Sequence, residues 1–443
     1  MKIQLQDHFN YGKLLRFTLP SIVMMIFTSI YGVVDGFFVS NYTGKTPFAA
    51  VNLIMPFLMI LGTLGFMFGT GGSALVSMKM GEKKQEEANE IFSLLIYTSL
   101  VLGVVTALLG AVFIRPVAGL LGASGEMLDD CVLYGRIVLI ALPALLLQFE
   151  FHSFCVTAEK PQLGLKVTVA AGVTNMVLDA VLVAGLGLGL VGAAAATAAS
   201  QLIGGLVPLI YFFRKNPSRL RLGRTHFNGR ALLKTCTNGS SELMSNISMS
   251  VVSMLYNSQL IKYAGEDGVA AYGVLMYVNF VFIAAFIGYS VGTAPIIGFH
   301  YGAQNTSELK SLLKKSVIII GAGAVCMFAA GELLAYPFSK LFVGYDKGLM
   351  DMTLKAFRIF SLSFLFSGYA IFGSGFFTAL NDGLTSAIIS FLRTLVFQVM
   401  AVLLLPKLFG IDGIWFSVAA AELIAVLVTV CFIIGKRNRY HYL

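Results

Sequence analysis

The chain has 443 residues, 57% of them hydrophobic and only 12% charged, where soluble domains average roughly 25% charged. With a mean hydropathy of +0.83 it cannot clothe itself in water, which excludes a soluble globular domain. The net charge of +9 lies in loops, where it is a topology signal and not the footprint of a nucleic-acid binder.

Apolar runs long enough to cross a bilayer as helices recur along the whole chain, and twelve spans are expected: 14–38, 49–77, 91–113, 131–157, 164–184, 190–213, 233–262, 269–298, 313–335, 353–379, 384–405 and 411–435. The runs are continuous, not alternating, which excludes a membrane β-barrel. The first run carries Pro20, Tyr31 and Asp35. It continues as a full span without a cleavage site, so no cleavable signal peptide is expected. The fourth carries Glu150 and His152, the fifth Asn175 and Asp179, and the sixth Thr197. In the second half Glu242 lies in the seventh, His300 ends the eighth, Arg393 lies in the eleventh and Glu422 in the twelfth. The glycine runs 69–74 and 185–200 lack a phosphate-loop lysine and read as close helix packing. Five scattered cysteines without a C-x-x-C pair give neither a disulfide framework nor a zinc site.

Twelve spans put both termini on one side. Twenty Lys and Arg residues fall in the loops of that side, beginning with Lys2 and Lys13, against nine on the other, so both termini are expected in the cytoplasm of a cell (plasma or bacterial inner) membrane. Shifted by 221 residues the chain matches itself: MGEKKQEE at 80–87 meets YGAQNTSE at 301–308, Pro116 meets Pro337 and Gly192 meets Gly413. Residues 1–213 and 232–443 therefore read as two six-span lobes joined by a basic linker, 214–231. An even number of spans gives both lobes one orientation, related by a pseudo-two-fold axis along the membrane normal. The fold class expected is an all-α polytopic membrane protein of twelve helices in two pseudo-symmetric lobes, which is transporter architecture.

Ionisable residues inside spans are the default functional candidates. Asp35, Asn175, Asp179 and Thr197 make the sharpest set. Asn175 and Asp179 are one helical turn apart and share a face, and two carboxylates, an amide and a hydroxyl offer oxygen ligands to Na⁺ or can share a proton. The bland alternative is interhelical packing glue, and two buried carboxylates exceed what packing requires. Arg393 and Glu422 read as a buried structural ion pair. Glu150 and His152, two residues apart, cannot share one helix face, so one of them could line a cavity; Tyr31 and Glu242 are further cavity or substrate candidates. No transition-metal cluster, nucleotide motif or catalytic constellation is present, so neither a cofactor nor an enzyme is expected; a possible Na⁺ is the one metal in view.

Pro20 with YGVVD ending at Asp35, MGEKKQEEA at 80–88, NMVLDAVLVAGLGLGLVGAAAATAASQ at 175–201, GVAAYGV at 268–274 and GTAPIIGFHYGAQ at 292–304 resemble the multidrug and toxic compound extrusion (MATE) family, in its bacterial drug-exporter branch. The resemblance covers essentially the whole chain. It implies an H⁺- or Na⁺-coupled antiporter that exports amphipathic, cationic small molecules, with a cation site at Asp35, Asn175, Asp179 and Thr197. Tyr31 and Pro20 match family positions in the first span, where the proline marks a helix bend. The 221 shift sets Met400 against Asp179 and Val396 against Asn175, so the second lobe does not duplicate this site. Small-molecule substrates and membrane lipid are the expected partners, and a monomer the plain expectation. A lipid-linked sugar flippase shares the architecture but would want a basic cavity for pyrophosphate. A major-facilitator transporter would want a basic, Asp-containing glycine motif after the second span.

Overall fold

The computed structural model describes residues 3–442, so Lys2, counted above among the charges of the N-terminus, lies outside it. Span 1 is the helix Tyr11–Tyr42, span 2 Lys45–Gly81 and span 3 Gln85–Leu120. Span 4 is two helices, Gly125–Ile140 and Leu142–Thr157, bent by 58° at Ala141. Span 5 runs Pro161–Leu178 and continues as a π-helical turn, Asp179–Gly185; span 6 is Gly189–Phe213. One helix of 74 residues, Gly229–Gly302, contains spans 7 and 8. At 1.5 Å per residue it would reach roughly 110 Å, several bilayer thicknesses, and it breaks at Gly265, whose φ of 64° an L side chain rarely adopts. Span 9 is Thr306–Val343, and span 10 is again a bent pair, Lys347–Ser361 and Phe364–Ala379, at 46°. Span 11 is Gly383–Phe391, a π turn Leu392–Val396 and Phe397–Phe409; span 12 is Ile411–Tyr440. The twelve expected spans are all present, with ends reaching several residues further. Side-chain caps set several starts: Asn10, Asn228, Asn305, Asp346 and Asp382 each accept from a backbone N–H three residues on.

The repeat is visible in contacts as well as in sequence. A Cβ on Gly81 would sit 2.0 Å from Phe299 O, and one on Gly302 would sit 2.0 Å from Met78 O. Each member of the first contact lies 221 residues from its image in the second, as a two-fold axis between halves requires. These glycines let spans 2 and 8 touch backbone to backbone, and Gly71 and Gly239 do the same for spans 2 and 7, 2.1 Å and 2.0 Å from carbonyls of Thr235 and Met67. From span 4 onward the offset is 222, since Leu142 pairs with Phe364, Pro161 with Gly383 and Gly189 with Ile411 as helix starts. This corrects the alignment of the fifth span: Asp179 corresponds to Ala401 and Asn175 to Phe397, not to Met400 and Val396.

The apolar core has two parts confined to one half each, around Tyr134 and Leu146 in the first and around Phe357 and Trp415 in the second. A small third part, Met24 and Met25 of the first half with Ala284 of the second, is shared. So is the fourth and largest, with Phe92, Phe154 and Phe212 from the first half and Phe299, Phe376 and Tyr440 from the second, which lies toward the face that carries both termini. There the segment before span 1 lies across both halves. Leu5 N–H donates to Glu159 Oε1 at 2.8 Å, Phe9 N–H to Glu308 Oε1 at 2.9 Å, and His8 Nδ1 lies 2.6 Å from Glu308 Oε2. Leu5 and Phe9 are fully buried, and Arg219 of the linker meets Glu159 at 3.3 Å.

Candidate functional site

Spans 1, 5 and 6 bring the four predicted oxygen-bearing residues together inside the first half. Asn175 Nδ2 and Thr197 Oγ1 each donate to Asp35 Oδ1 at 3.5 Å, and the Asp179 carboxyl lies against that of Asp35. All four are buried, Asp179 completely. Both Asp179 oxygens and Asn175 Oδ1 lack a hydrogen-bond partner among the described residues. Buried polar atoms are almost always satisfied, so a cluster of acceptors without donors is suited to a proton or a hard cation, which oxygen ligands favour. The helix around Asp179 changes as well. The α-helix of span 5 ends at Leu178 and the π turn begins at Asp179, an insertion found frequently at functional sites because it re-aims side chains and frees carbonyls.

Tyr134 of span 4 completes the cluster. It is fully buried, its hydroxyl has no hydrogen bond among the described residues, and it stands by Thr197 within electrostatic reach of both carboxyls. Nothing in the sequence singled it out. Tyr31 also approaches this site, beside Gln148 and near Asp35. Gln148, another residue the sequence did not flag, packs so closely on span 6 that a Cβ at Gly204 would meet its side chain at 2.4 Å.

A cavity of about 620 Å³ opens mainly within the second half, with only Thr70, Ser73 and Ser153 of its lining contributed by the first. Of the predicted cavity residues, Glu242 lines it and Tyr31, Glu150 and His152 do not. Glu150 is wholly buried, with neither oxygen hydrogen-bonded among the described residues, and His152 Nε2 stands 3.4 Å from Thr168 Oγ1 in the interior of the first half. The expectation that one of these two faces the cavity is therefore corrected: the bend of span 4 and its packing on spans 2 and 3 turn both inward. Arg393 and Glu422 pair as expected, at 2.9 Å, and both line the cavity. Pro20 is buried in span 1, and the helix Tyr11–Tyr42 runs through it.

In the place that Asp35 holds in the first half, the second half has Tyr256. Its hydroxyl donates to Gln398 Oε1 at 2.8 Å, and its ring stacks on Tyr272 with centroids 5.5 Å apart. A neutral, satisfied pair stands there instead of an acidic cluster.

The sequence profile of the MatE family matches residues 20–181 and 243–403, one copy in each half. The chain is 27% identical over 436 residues to the multidrug export protein MepA of Staphylococcus haemolyticus, covering 97% of this chain and 94% of that protein. It is 26% identical to MepA of Staphylococcus saprophyticus, covering 96% and 94%. A solved outward-facing conformation of a multidrug resistance MATE family transporter of the MOP superfamily superposes with a TM-score of 0.93 at 23% identity, covering 100% of this chain and 99% of that one. A MOP superfamily transporter from Pyrococcus furiosus superposes at 0.89 with 22% identity, covering 98% and 97%.

Proposed function

Since the chain belongs to the MatE family of multidrug efflux transporters, and so is a multi-pass membrane transporter and not an enzyme, we propose that it is an H⁺- or Na⁺-coupled antiporter that expels amphipathic, cationic molecules by alternating access. The ion is carried as cargo among Asp35, Asn175, Asp179 and Thr197, with Tyr134 beside them. The observation that carries this reading is the pair of carboxyls in one buried cluster with unsatisfied acceptor oxygens. No packing role requires two of them, and each is expensive in hydrocarbon, about 3 kcal/mol on the gentlest insertion scales.

The substrate occupies the cavity of the second half, where Glu242 offers a counter-charge. Ion and substrate therefore bind in different halves and communicate through the packing of spans 1 and 2 on spans 7 and 8. Coupling requires each to bind the two access states unequally. The protein works as a monomer in a cell membrane with its termini in the cytoplasm.

The test is efflux of a fluorescent organic cation from proteoliposomes with ΔpH and the Na⁺ gradient imposed separately. Uphill efflux under one gradient, absent in Asp35→Asn, is expected. Full gradient-driven efflux in Asp35→Asn and in Asp179→Asn would sink the reading.

A further inference from the structure

Arg393 stands in the cavity with most of its guanidinium uncommitted. Its Nε donates to both Glu422 oxygens, at 3.1 and 2.9 Å. Among the described residues no hydrogen bond reaches its two terminal amino groups, which are open to the cavity that the residue lines. A guanidinium has five N–H donors in a planar fork, and carboxylate pairs are frequently bidentate, using two nitrogens. A bridge serving structure alone would be expected to engage two nitrogens; here Nε alone is used and the rest of the fork is left free for a cavity ligand. Glu422 grips the inner edge and presents the outer one. The π turn Leu392–Val396 contains Arg393, so the second half, like the first, interrupts a helix at an ionisable residue, although 392 is not the image of 179 under the repeat.

Glu242 lines the same cavity. Among the described residues its carboxylate makes no hydrogen bond or ion pair, and Arg393 is near enough to act on it electrostatically. With Arg393 and Glu422 cancelling, the lining presents one unpaired negative group and one unsatisfied donor edge. A monocation answers Glu242 and leaves the donor edge idle. A monoanion answers the edge and meets Glu242 unopposed. A molecule carrying both charges answers both without changing the net charge of the cavity.

We propose that the outer edge of Arg393 is an acceptor subsite that holds the carboxylate of an exported zwitterion whose cationic centre lies toward Glu242, with Glu422 as the residue that positions the guanidinium. Zwitterionic amphipaths are thereby preferred over monocations of the same shape. The proposal rests on the export reading above and narrows its substrate class, from amphipathic cations in general to those that also carry a carboxylate.

The probe is a matched pair: a xanthylium dye with a free benzoate carboxylate, and its methyl ester. Equilibrium binding of each to the purified protein in detergent is read by fluorescence polarisation. Wild type binds the free acid more tightly. Arg393→Gln combined with Glu422→Gln, which strands no charge, raises the Kd of the acid by about tenfold and leaves that of the ester within about twofold. Arg393→Lys, which keeps the ion pair but not the planar edge, does the same in a fold free of the neutral pair. Equal weakening of both dyes, no weakening of either, or no binding of the acid by wild type overturns the proposal. If the Kd difference holds while neither dye is driven out of proteoliposomes, the antiport reading fails and the subsite stands. If export proceeds and the Kd ratio ignores Arg393, the subsite alone falls.

Discussion

Asp35 and Tyr256 are 221 residues apart and occupy the same place in the two halves, yet Asp35 accepts from Asn175 and Thr197 beside the Asp179 carboxyl, whose oxygens have no hydrogen-bond partner among the described residues, while Tyr256 donates to Gln398 at 2.8 Å. The backbone is duplicated and the chemistry is not. Placing a carboxylate at Tyr256 therefore does not create a second ion site. Tyr256→Asp is expected to strand a charge beside Gln398 and destabilise the protein by several kcal/mol, read as a lower Tm, with no second ion-dependent step in transport.

Tyr134→Phe removes one hydroxyl from the acidic cluster and keeps the ring that packs the first half. Folding is expected to survive. Because groups bordering an ion site typically change affinity by 10–100-fold, the concentration of coupling ion giving half-maximal export should rise by roughly tenfold. An unchanged ion dependence would remove Tyr134 from the site.

Gly239→Ala places a Cβ 2.0 Å from Met67 O, whereas a Cβ on Gly32 meets nothing within 4 Å. Overpacking of this kind costs about 1–3 kcal/mol or more when backbone must move. A thermal-shift comparison in detergent should show Gly239→Ala several degrees less stable and Gly32→Ala unchanged.

Asp382 caps span 11 and accepts from Lys436 at 3.0 Å, Tyr440 at 2.9 Å and Thr385 Oγ1 at 2.8 Å. Burial pushes its carboxyl up, and these three donors together outweigh that and hold it below its ordinary value. A carboxyl lowered on folding stabilises the protein above its unfolded pKa, near 4, and loses that contribution as pH falls through the lower folded value. Asp382→Asn keeps the cap. The Tm difference between wild type and this variant should be constant from about pH 5 to 8 and shrink below about pH 4; a gap that widens in acid contradicts the assignment.

Much of this was legible because a bilayer taxes polar groups. Asp35, Asn175, Asp179 and Thr197 stood out against apolar runs and lie together in the structure, and Arg393 finds Glu422. Tyr134 did not stand out, because tyrosine is at home near membrane interfaces and its burial depends on the bend of span 4. That bend had a signal in Pro143, but its partner in span 10, between Ser361 and Phe364, has no proline. The π turns at Asp179 and Arg393 leave no trace in hydrophobic patterning, since a lipid-facing helix has no strong period to disturb. The one-residue change of offset, from 221 to 222, was hidden for the same reason, and it moved the images of Asn175 and Asp179. Glu150 and His152 showed that an ionisable residue in a span need not face the cavity.

Glu308→Ala removes the acceptor for Phe9 N–H and the partner of His8. Losing two hydrogen bonds of about 1 kcal/mol each should make residues 3–10 open roughly thirtyfold more often. Chymotryptic cleavage after Phe9 should accelerate accordingly, and Glu308→Gln, which keeps an accepting oxygen, should fall between.

Those same residues act as a tether of fixed length. Leu5 is tied to Glu159 in one half and Phe9 to Glu308 in the other, and four residues of fully extended chain reach no more than about 14 Å. Any motion that carries the two carboxylates further from each other than this leash and its bonds can follow must first unfasten one end. The terminal segment thus sets a ceiling on how wide that face can part while both knots hold, and an opening beyond the ceiling becomes an all-or-none event timed by the breaking of a knot.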